Sequence, residues 1–365
     1  MLESRRFAVL GSGHGACAFC GQIAGRGWPV AMWEPLEATA DYQRLAAEKR
    51  MRLTGDIQVE GRLDLVTMDI EQAMRQAAVL LVVVPSFAHE PIFQKMIPHL
   101  QDGQHIVIVP GNFGGYRLKT MMSRAGVHRA VSISETASLP YACRRQSHDF
   151  VAVYKMKQQM KLATSPKRDN PSVVQLMNEL FEGHVSFRPA DSLLEVDCDN
   201  VNYTLHPFPA LLSYAEIEKH PETFRHYMDG VTPLVSEQMM RMDEERLDIG
   251  RHLGIELMDA LSQLKMYYGH NATRTIHEYV NSPESPYVDI AGHHVKSRYL
   301  TEDVPGLIVP VLHLARRAGI QAPLAEVVVK LSSALHDVDY FQAGTTLDKL
   351  GLEGMTPERI VDLGS

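Results

Sequence analysis

Gly11-Ser12-Gly13-His14-Gly15-Ala16 follows the apolar run Phe7–Leu10 and precedes a helix-like stretch reaching about Gly25. G-x-G-x-x-A between a strand and a helix is a phosphate-cradling turn. Gly11 permits the tight turn, Gly13 lets the backbone approach a pyrophosphate, and Ala16 lets the helix pack closely on the strand. The anion then sits on free N–H groups at the positive end of the helix. A second β-rich run ends at Glu34, about 20 residues on, where an acid bonds the adenosine ribose 2′-hydroxyl. A carboxylate there repels a 2′-phosphate, and Pro35-Leu36-Glu37 brings no Arg. The spacing therefore favours NAD, with NADP left open. Pro85-Ser86-Phe87-Ala88 and Pro110-Gly111-Asn112-Phe113-Gly114-Gly115 follow further strand candidates. Ligands bind beyond the carboxyl ends of such strands, so Pro85 and Asn112 become cofactor candidates. The bland reading is plain Gly-rich turns.

Three segments carry dense polar groups. In Asn200–Pro207, Asn202 and His206 stand at i and i+4 and share a helix face. Pro207 limits that helix at His206 and leaves the imidazole at its end. In Ser297–Pro305, Arg298 lies five residues before Asp303. The third segment, Glu135–Arg144 with Thr136, directly follows a strand candidate. A redox reaction at carbon needs a group that moves a proton as the hydride moves, and His suits that near neutral pH. Asp303 could bond the other ring nitrogen and fix the tautomer. An Arg fork clamps a substrate carboxylate. Taken singly, each of these is also compatible with a structural role, Arg298–Asp303 reading equally as an ion pair.

Cys17-Ala18-Phe19-Cys20, with His14 three residues before it, could hold a metal or a redox couple. Cys143 and Cys198 lie far off without paired spacing. Small buried residues packing the first helix is the simpler reading, and no metal is expected.

The surrounding elements must position these groups. The 365 residues suggest two domains. Phe7–Leu10, Val30–Trp33, Val79–Val84, His105–Val109 and Ala130–Ser134 are short, Val/Ile-rich and nearly all apolar, as in a parallel sheet covered on both faces. Asp41–Met51 and Pro91–Leu100 are long enough for connecting helices, and Asn170–Glu182 for a last one. Val151–Tyr154 and Gln159–Thr164 read as antiparallel strands near the sheet edge. Residues 1–188 are thus expected to form an α/β Rossmann domain, a doubly wound, mostly parallel sheet. From 189 to 365 the texture is helical, with a broad amphipathic face along Leu234–Leu253 and an exposed turn cluster at Asn281–Pro286. A net charge of −8 argues against nucleic acid or an anionic membrane. The longest apolar run, Ala77–Val84, has eight residues, far from the roughly 18 of a membrane span. The N-terminal apolar stretch is too short for a signal peptide, and four Cys are too few for a disulfide framework. The expected compartment is the reducing cytoplasm. Oligomeric state is left open, a homodimer included.

The chain resembles the octopine/nopaline (opine) dehydrogenase family, including its bacterial N-(1-carboxyethyl)norvaline branch, over nearly its whole length. Beside the glycine turn, the resemblance rests on Glu135-Thr136 with Leu139-Pro140-Tyr141-Ala142-Cys143-Arg144, and on Asn202-x-x-x-His206-Pro207. It continues in Tyr227-x-x-Gly230-Val231-Thr232-Pro233, Asp243-x-Glu245-Arg246 and Arg298-Tyr299-Leu300-Thr301-Glu302-Asp303-Val304-Pro305. It implies a Rossmann domain and a helical domain with the active site between them. It implies NAD(P)H-dependent reductive condensation of an α-keto acid with an amino acid's amino group. His206 would be the acid/base, Asp303 its partner, Asn202 a nearby polar group and Arg298 the carboxylate binder, with Tyr299 and Thr136 on the substrate side. Gly11, Gly13, His14, Gly15, Ala16, Glu34, Pro85 and Asn112 would hold the cofactor. Two departures touch substrate choice: Gly306-Leu307 after the last motif, and His14 where a small polar residue is usual. Hydroxyacid reductases of the ketopantoate reductase and glycerol-3-phosphate dehydrogenase kind share the architecture but rely on a Lys, and Lys265 sits in no comparable motif. A non-enzymatic dinucleotide sensor would be free to lose His206, Arg298 and Asp303.

Overall fold

The structure is a computed structural model, and it describes residues 5–269, 271–283, 285–287 and 290–365. The chain divides into two compact units. One runs to Val196 and includes Gly364–Ser365; the other is Asp197–Leu363.

The first unit is built on β1 (Phe7–Leu10), β2 (Val30–Trp33), β5 (Leu65–Thr67), β6 (Val79–Val82), β7 (His105–Ile108), β8 (Ser132–Thr136), β11 (Gln159–Ser165) and β12 (Ser186–Pro189). Their order is β12-β11-β8-β7-β6-β1-β2-β5. Every pairing is parallel except β8 with β11. All four residues of β1 and of β6 are buried, which explains their uninterrupted apolar sequence. The order reverses beside β1, so the loops after β1 and β6 flank the switch point where such sheets bind ligands.

A second sheet was not foreseen. It has the order β4-β3-β10-β9, from β3 (Arg50–Gly55), β4 (Val59–Arg62), β9 (Tyr141–Ser147) and β10 (Phe150–Met156). It packs on the outer side of the first helix, His14–Gly25. A Cβ at Gly25 would come within 1.9 Å of Val59, and one at Gly21 within 2.8 Å of Leu53. The expected helix Asp41–Met51 therefore stops at Glu48, Lys49 turns left-handed, and Met51 already belongs to β3. Val151–Tyr154 lies in this sheet rather than at the edge of the main one. Gln159–Thr164 does run antiparallel to β8, one strand from the edge. β8 also starts two residues later than expected, which places Glu135 and Thr136 inside the strand.

The second unit is helical, with a single isolated bridge, Arg225 to Ala291, among the described residues. Its longest helix, Pro233–Leu253, is capped by the Thr232 hydroxyl, which accepts from Val235 N. Met239, Met242, Ile249 and Leu253 are buried as expected, but Leu234 is exposed. The buried face instead admits Asp243 and Arg246. In the Asn281–Pro286 cluster Ser282 and Ser285 are buried, contrary to a simple exposed turn; Glu284 lies outside the described residues. Among the described residues, no helix is long and apolar enough to cross a membrane.

The first unit extends eight residues past the expected boundary at 188. Lys161 holds Glu195 at 2.7 Å, and Leu193 N donates to Gly364 O at 2.9 Å.

Candidate active site

The glycine turn has the form a pyrophosphate needs. Gly11 has φ +132°, and a Cβ there would sit 2.5 Å from the Val83 carbonyl oxygen. Nothing lies within 4 Å of a Cβ built at Gly13, which caps the first helix with no side-chain hydrogen bond at the cap. Gly15 and Ala16 are buried, and a Cβ at Gly15 would meet Leu139 at 2.7 Å. Gly11 N donates to Trp33 O, which sets the end of β2, and so Glu34, beside the turn. One Glu34 oxygen accepts from Leu36 N at 2.9 Å. These residues fit a dinucleotide: a bare helix start, an open approach at Gly13, and an acid one strand over.

Sequence reasoning missed Arg145. The motif carried Arg144, but strand alternation exposes that residue and turns Arg145 toward the glycine turn. Arg145 N donates to His14 Nδ1 at 3.0 Å, and its guanidinium reaches Ser12 O at 3.4 Å and His148 O at 3.2 Å. The backbone donor requires a lone pair on Nδ1, so the neutral His14 ring carries its proton on Nε2.

Pro85 stands at the start of a short 3-10 turn, Ser86–Ala88. Asn112 and Phe113 adopt φ of 46° and 63°, an unfavourable pair of non-glycine residues that opens the helix Gly114–Arg124. Glu135 is fully buried and accepts from Gly115 N at 2.6 Å, so this motif carboxylate serves the start of that helix. Thr136 is buried, and its hydroxyl donates to Ser138 O at 2.9 Å, a local bond rather than a poised substrate contact. Cys17 and Cys20 are buried, and burial pushes the Cys17 thiol up to about 11, the opposite of a reactive or ligating thiolate. Glu48, His148 and Asp149 could in shape hold a cation, but Arg50 bonds Asp149 at 2.9 Å and already supplies positive charge.

In the helical unit, Asn202–Leu205 forms a single helical turn, and Pro207 begins the next helix, Pro207–Leu212. His206 is the joint between them, as its sequence position implies. Its Nδ1 lies 2.7 Å from Asp303 Oδ2, and its Nε2 lies 3.0 Å from the Tyr227 hydroxyl. Tyr299 stacks on the imidazole, with centroids 3.8 Å apart and planes at 17°. Asp303 is buried at the start of a π-helical turn, Val304–Ile308. Burial and the adjacent Glu302 carboxylate raise its pKa well above the usual carboxylate range. Asn202 lies a turn before His206, and its carbonyl accepts from His206 N at 3.3 Å. Arg298 does not pair with Asp303: its Nε bonds Glu302, at i+4, and its side chain is 62% exposed. One helical turn brings i+4, not i+5, into reach.

The Asp243-x-Glu245-Arg246 motif braces this site from beneath. Asp243 accepts from the Thr204 hydroxyl at 2.9 Å and from Arg246 Nε at 2.9 Å. Fully buried Arg246 also bonds the Cys198 and Met258 carbonyls, and Glu245 accepts from Leu324 and Ala325 N. Lys265 donates to Thr273 O at 2.6 Å.

Residues 189–336 match the family model described as NAD/NADP octopine/nopaline dehydrogenase, alpha-helical domain. Residues 6–122 match NAD-dependent glycerol-3-phosphate dehydrogenase N-terminus. An opine dehydrogenase from Arthrobacter sp. (strain 1C) is 32% identical over 364 residues, covering 98% of both chains. The chain belongs to the opine dehydrogenase family. A vitopine synthase from Allorhizobium ampelinum is 27% identical, again covering 98% of each chain. A structure of octopine dehydrogenase in complex with NADH and agmatine superposes with a TM-score of 0.77 at 21% identity, covering 98% of each chain. As a member of this family the chain is an NAD(P)-dependent oxidoreductase acting on CH–NH bonds, which condenses an α-keto acid with an amino acid. The glycerol-3-phosphate dehydrogenase likeness is confined to the dinucleotide-binding part, so it does not favour the hydroxyacid alternative.

Proposed function

We propose that His206 is the acid–base group of this reductive condensation, Asp303 its positioning partner, Arg298 the carboxylate binder and NADH the preferred reductant. The observation that carries the reading is the 2.7 Å bond between His206 Nδ1 and the buried Asp303 carboxylate. A histidine so held has its tautomer fixed and its basicity raised. The bound nicotinamide supplies the hydride.

The proton traffic follows from the substrates. An ammonium must lose a proton to attack the keto carbon, and the resulting hydroxyl must gain one to leave as water. Those two transfers cancel, so iminium formation needs one group that takes a proton and gives it back. Hydride addition then yields a neutral secondary amine, which takes up a proton from solvent. His206 meets the need for a reversible acid–base group, and Asp303 stabilises the imidazolium while it exists. Arg298 offers a largely exposed guanidinium to a substrate carboxylate, with Glu302 holding it at Nε. Asn202 stands one turn away as a neutral polar group, and Tyr299 lines the same place.

In the first unit, Gly11, Gly13, Gly15 and Ala16 form the pyrophosphate cradle, with the His14 Nε2–H as a neutral donor beside it. Glu34 takes the ribose hydroxyls and disfavours a 2′-phosphate. Pro85 lies on the loop after β6, at the switch point, and Asn112 on the loop after the neighbouring β7. We assign Thr136 to substrate positioning through the backbone, because its hydroxyl is engaged locally. Four free cysteines, three of them buried, fit the reducing cytoplasm.

The test is NADH oxidation with pyruvate, with and without a pool of amino acids. Oxidation that requires the amine supports the reading. Oxidation with pyruvate alone indicates a hydroxyacid reductase instead.

A further inference from the structure

We propose that Tyr299 is a positioning residue that sets the proton affinity of His206: its ring face stabilises the imidazolium, and with it the charge-separated pair with Asp303. The inference rests on the assignment of His206 above and deepens it. The two rings lie nearly parallel, with centroids 3.8 Å apart and planes at 17°. Neutral rings prefer an offset or edge-on contact to a close sandwich of this kind. A cation over a phenol face is attracted to it, and most strongly where water is excluded. The His206 side chain is only 12% exposed. The stack therefore acts unequally on the two protonation states of the imidazole, which is what tuning a base requires.

Local structure holds Tyr299 in this place. It belongs to the single helical turn Arg298–Thr301, where the Thr301 hydroxyl donates back to Ser297 O at 3.1 Å. Two more imidazoles pin its ring: His226 meets it edge-on at 4.5 Å, and His293 lies tilted at 4.7 Å. Burial holds both of these rings neutral near pH 7, so they fix the phenol without setting a second cation against His206. Burial also pushes the Tyr299 phenol up to about 12, so the face presented to His206 stays uncharged near neutral pH.

The other groups around His206 act at its edges. Asp303 faces Nδ1, and its carboxyl, raised by burial and by Glu302, competes for the proton. Tyr227 meets Nε2 with a phenol that burial keeps protonated. Arg298 pairs with Glu302. Farther out, Asp243 pairs with Arg246, Asp229 with Arg225 and Glu216 with Lys219. His336 bonds Tyr340 and the Val295 carbonyl. The rings of Tyr227 and His226 stand at 58° and 80° to the imidazole, whereas Tyr299 lies flat on it. The Tyr299 face thus biases the contest with Asp303, keeping the proton on the histidine and the charge on the carboxylate.

The experiment titrates His206 through NMR of the histidine ring protons in the full chain, its signal identified by its loss in His206→Ala. The variants are Tyr299→Phe, Tyr299→Leu and Tyr299→trifluorophenylalanine, with NADH binding as the check that each is folded. Tyr299→Phe keeps the face and should titrate with the parent. Fluorination keeps the shape and drains the face of negative charge, so it stays informative if Tyr299→Leu does not fold. Tyr299→Leu and the fluorinated ring should each lower the His206 midpoint, by about one pH unit for the Leu variant. The acidic limb of kcat/KM for pyruvate should move down with it. An unchanged midpoint in the fluorinated variant would overturn the proposal. So would a fall already complete in Tyr299→Phe, which would place the effect in the hydroxyl. An active His206→Ala would overturn the acid–base reading alone, because the titration reports on the stack without any turnover.

Discussion

His206 has one nitrogen on a carboxylate and the other on a phenol, and its proton can sit in only one useful place. Asp303→Asn tests this directly. An amide can donate to Nδ1 where the carboxylate only accepts, which stabilises the wrong tautomer. We expect kcat to fall about 10²–10⁴-fold with NADH binding kept, the loss seen when such a partner is neutralised. Parental kcat in that variant would remove Asp303 from the mechanism. His206→Ala should lower turnover on a similar scale, about 10²–10⁴-fold, again with NADH binding intact. In the first unit, Glu34→Gln should raise the use of NADPH relative to NADH, because it removes the charge that repels a 2′-phosphate. An unchanged ratio of kcat/KM for the two cofactors would exclude that role. At this scale the sequence was informative where a motif grouped polar residues along one short stretch. His206 and Asp303 were legible that way. The partnership of Arg298 was not, since spacing alone could not separate Glu302 from Asp303. Tyr227 stood within a recognised motif but reads there as one more aromatic residue, because its hydroxyl acquires meaning only across a tertiary contact with His206.

At the scale of elements, the parallel strands were legible because burial on both faces leaves them uniformly apolar. The second sheet was not. β3 alternates buried and exposed residues and β4 half-buried and exposed ones, among several charges, and that pattern is close to the polar half of a helix. The first helix carries the clue in its glycines. Gly21 and Gly25 leave the room that Leu53 and Val59 fill, whereas the sequence alone shows only a small-residue helix. The same helix presents the glycine turn, so turn and second sheet are mechanically one piece. Gly11→Ala should abolish NADH binding in a calorimetric titration, since the Cβ strikes the Val83 carbonyl and the backbone has φ +132°. Retained affinity would show that the turn does not set the cofactor's position.

Across the whole molecule, several buried histidines stay neutral. Burial lowers His89 to about 3 and His293 to about 4, and it lowers His226 as well. Each ring is ordinary in the unfolded chain, near 6.5, so the unfolded state takes up protons first as pH falls. Their stabilising contribution is complete above about pH 6.5 and is lost as pH falls toward 4, at up to about 1.4 kcal/mol per group per pH unit. The urea midpoint should therefore drop between pH 7.5 and 5, and His293→Gln should flatten that slope. A midpoint indifferent to pH over this range would contradict the burial argument.

The return of Gly364–Ser365 to the first unit changes what kind of object the helical unit is. Leu193 N holds Gly364 O, the Ser165 hydroxyl donates to Ser365 O, and Tyr116 lies against Gly364. The helical unit is consequently an excursion of the chain with both ends anchored, a closed loop rather than a tail. Fixing both ends of a loop restricts its unfolded ensemble before any of its own contacts form. Removing the last two residues would reopen that loop. The helices would then melt earlier although none of their own residues had changed.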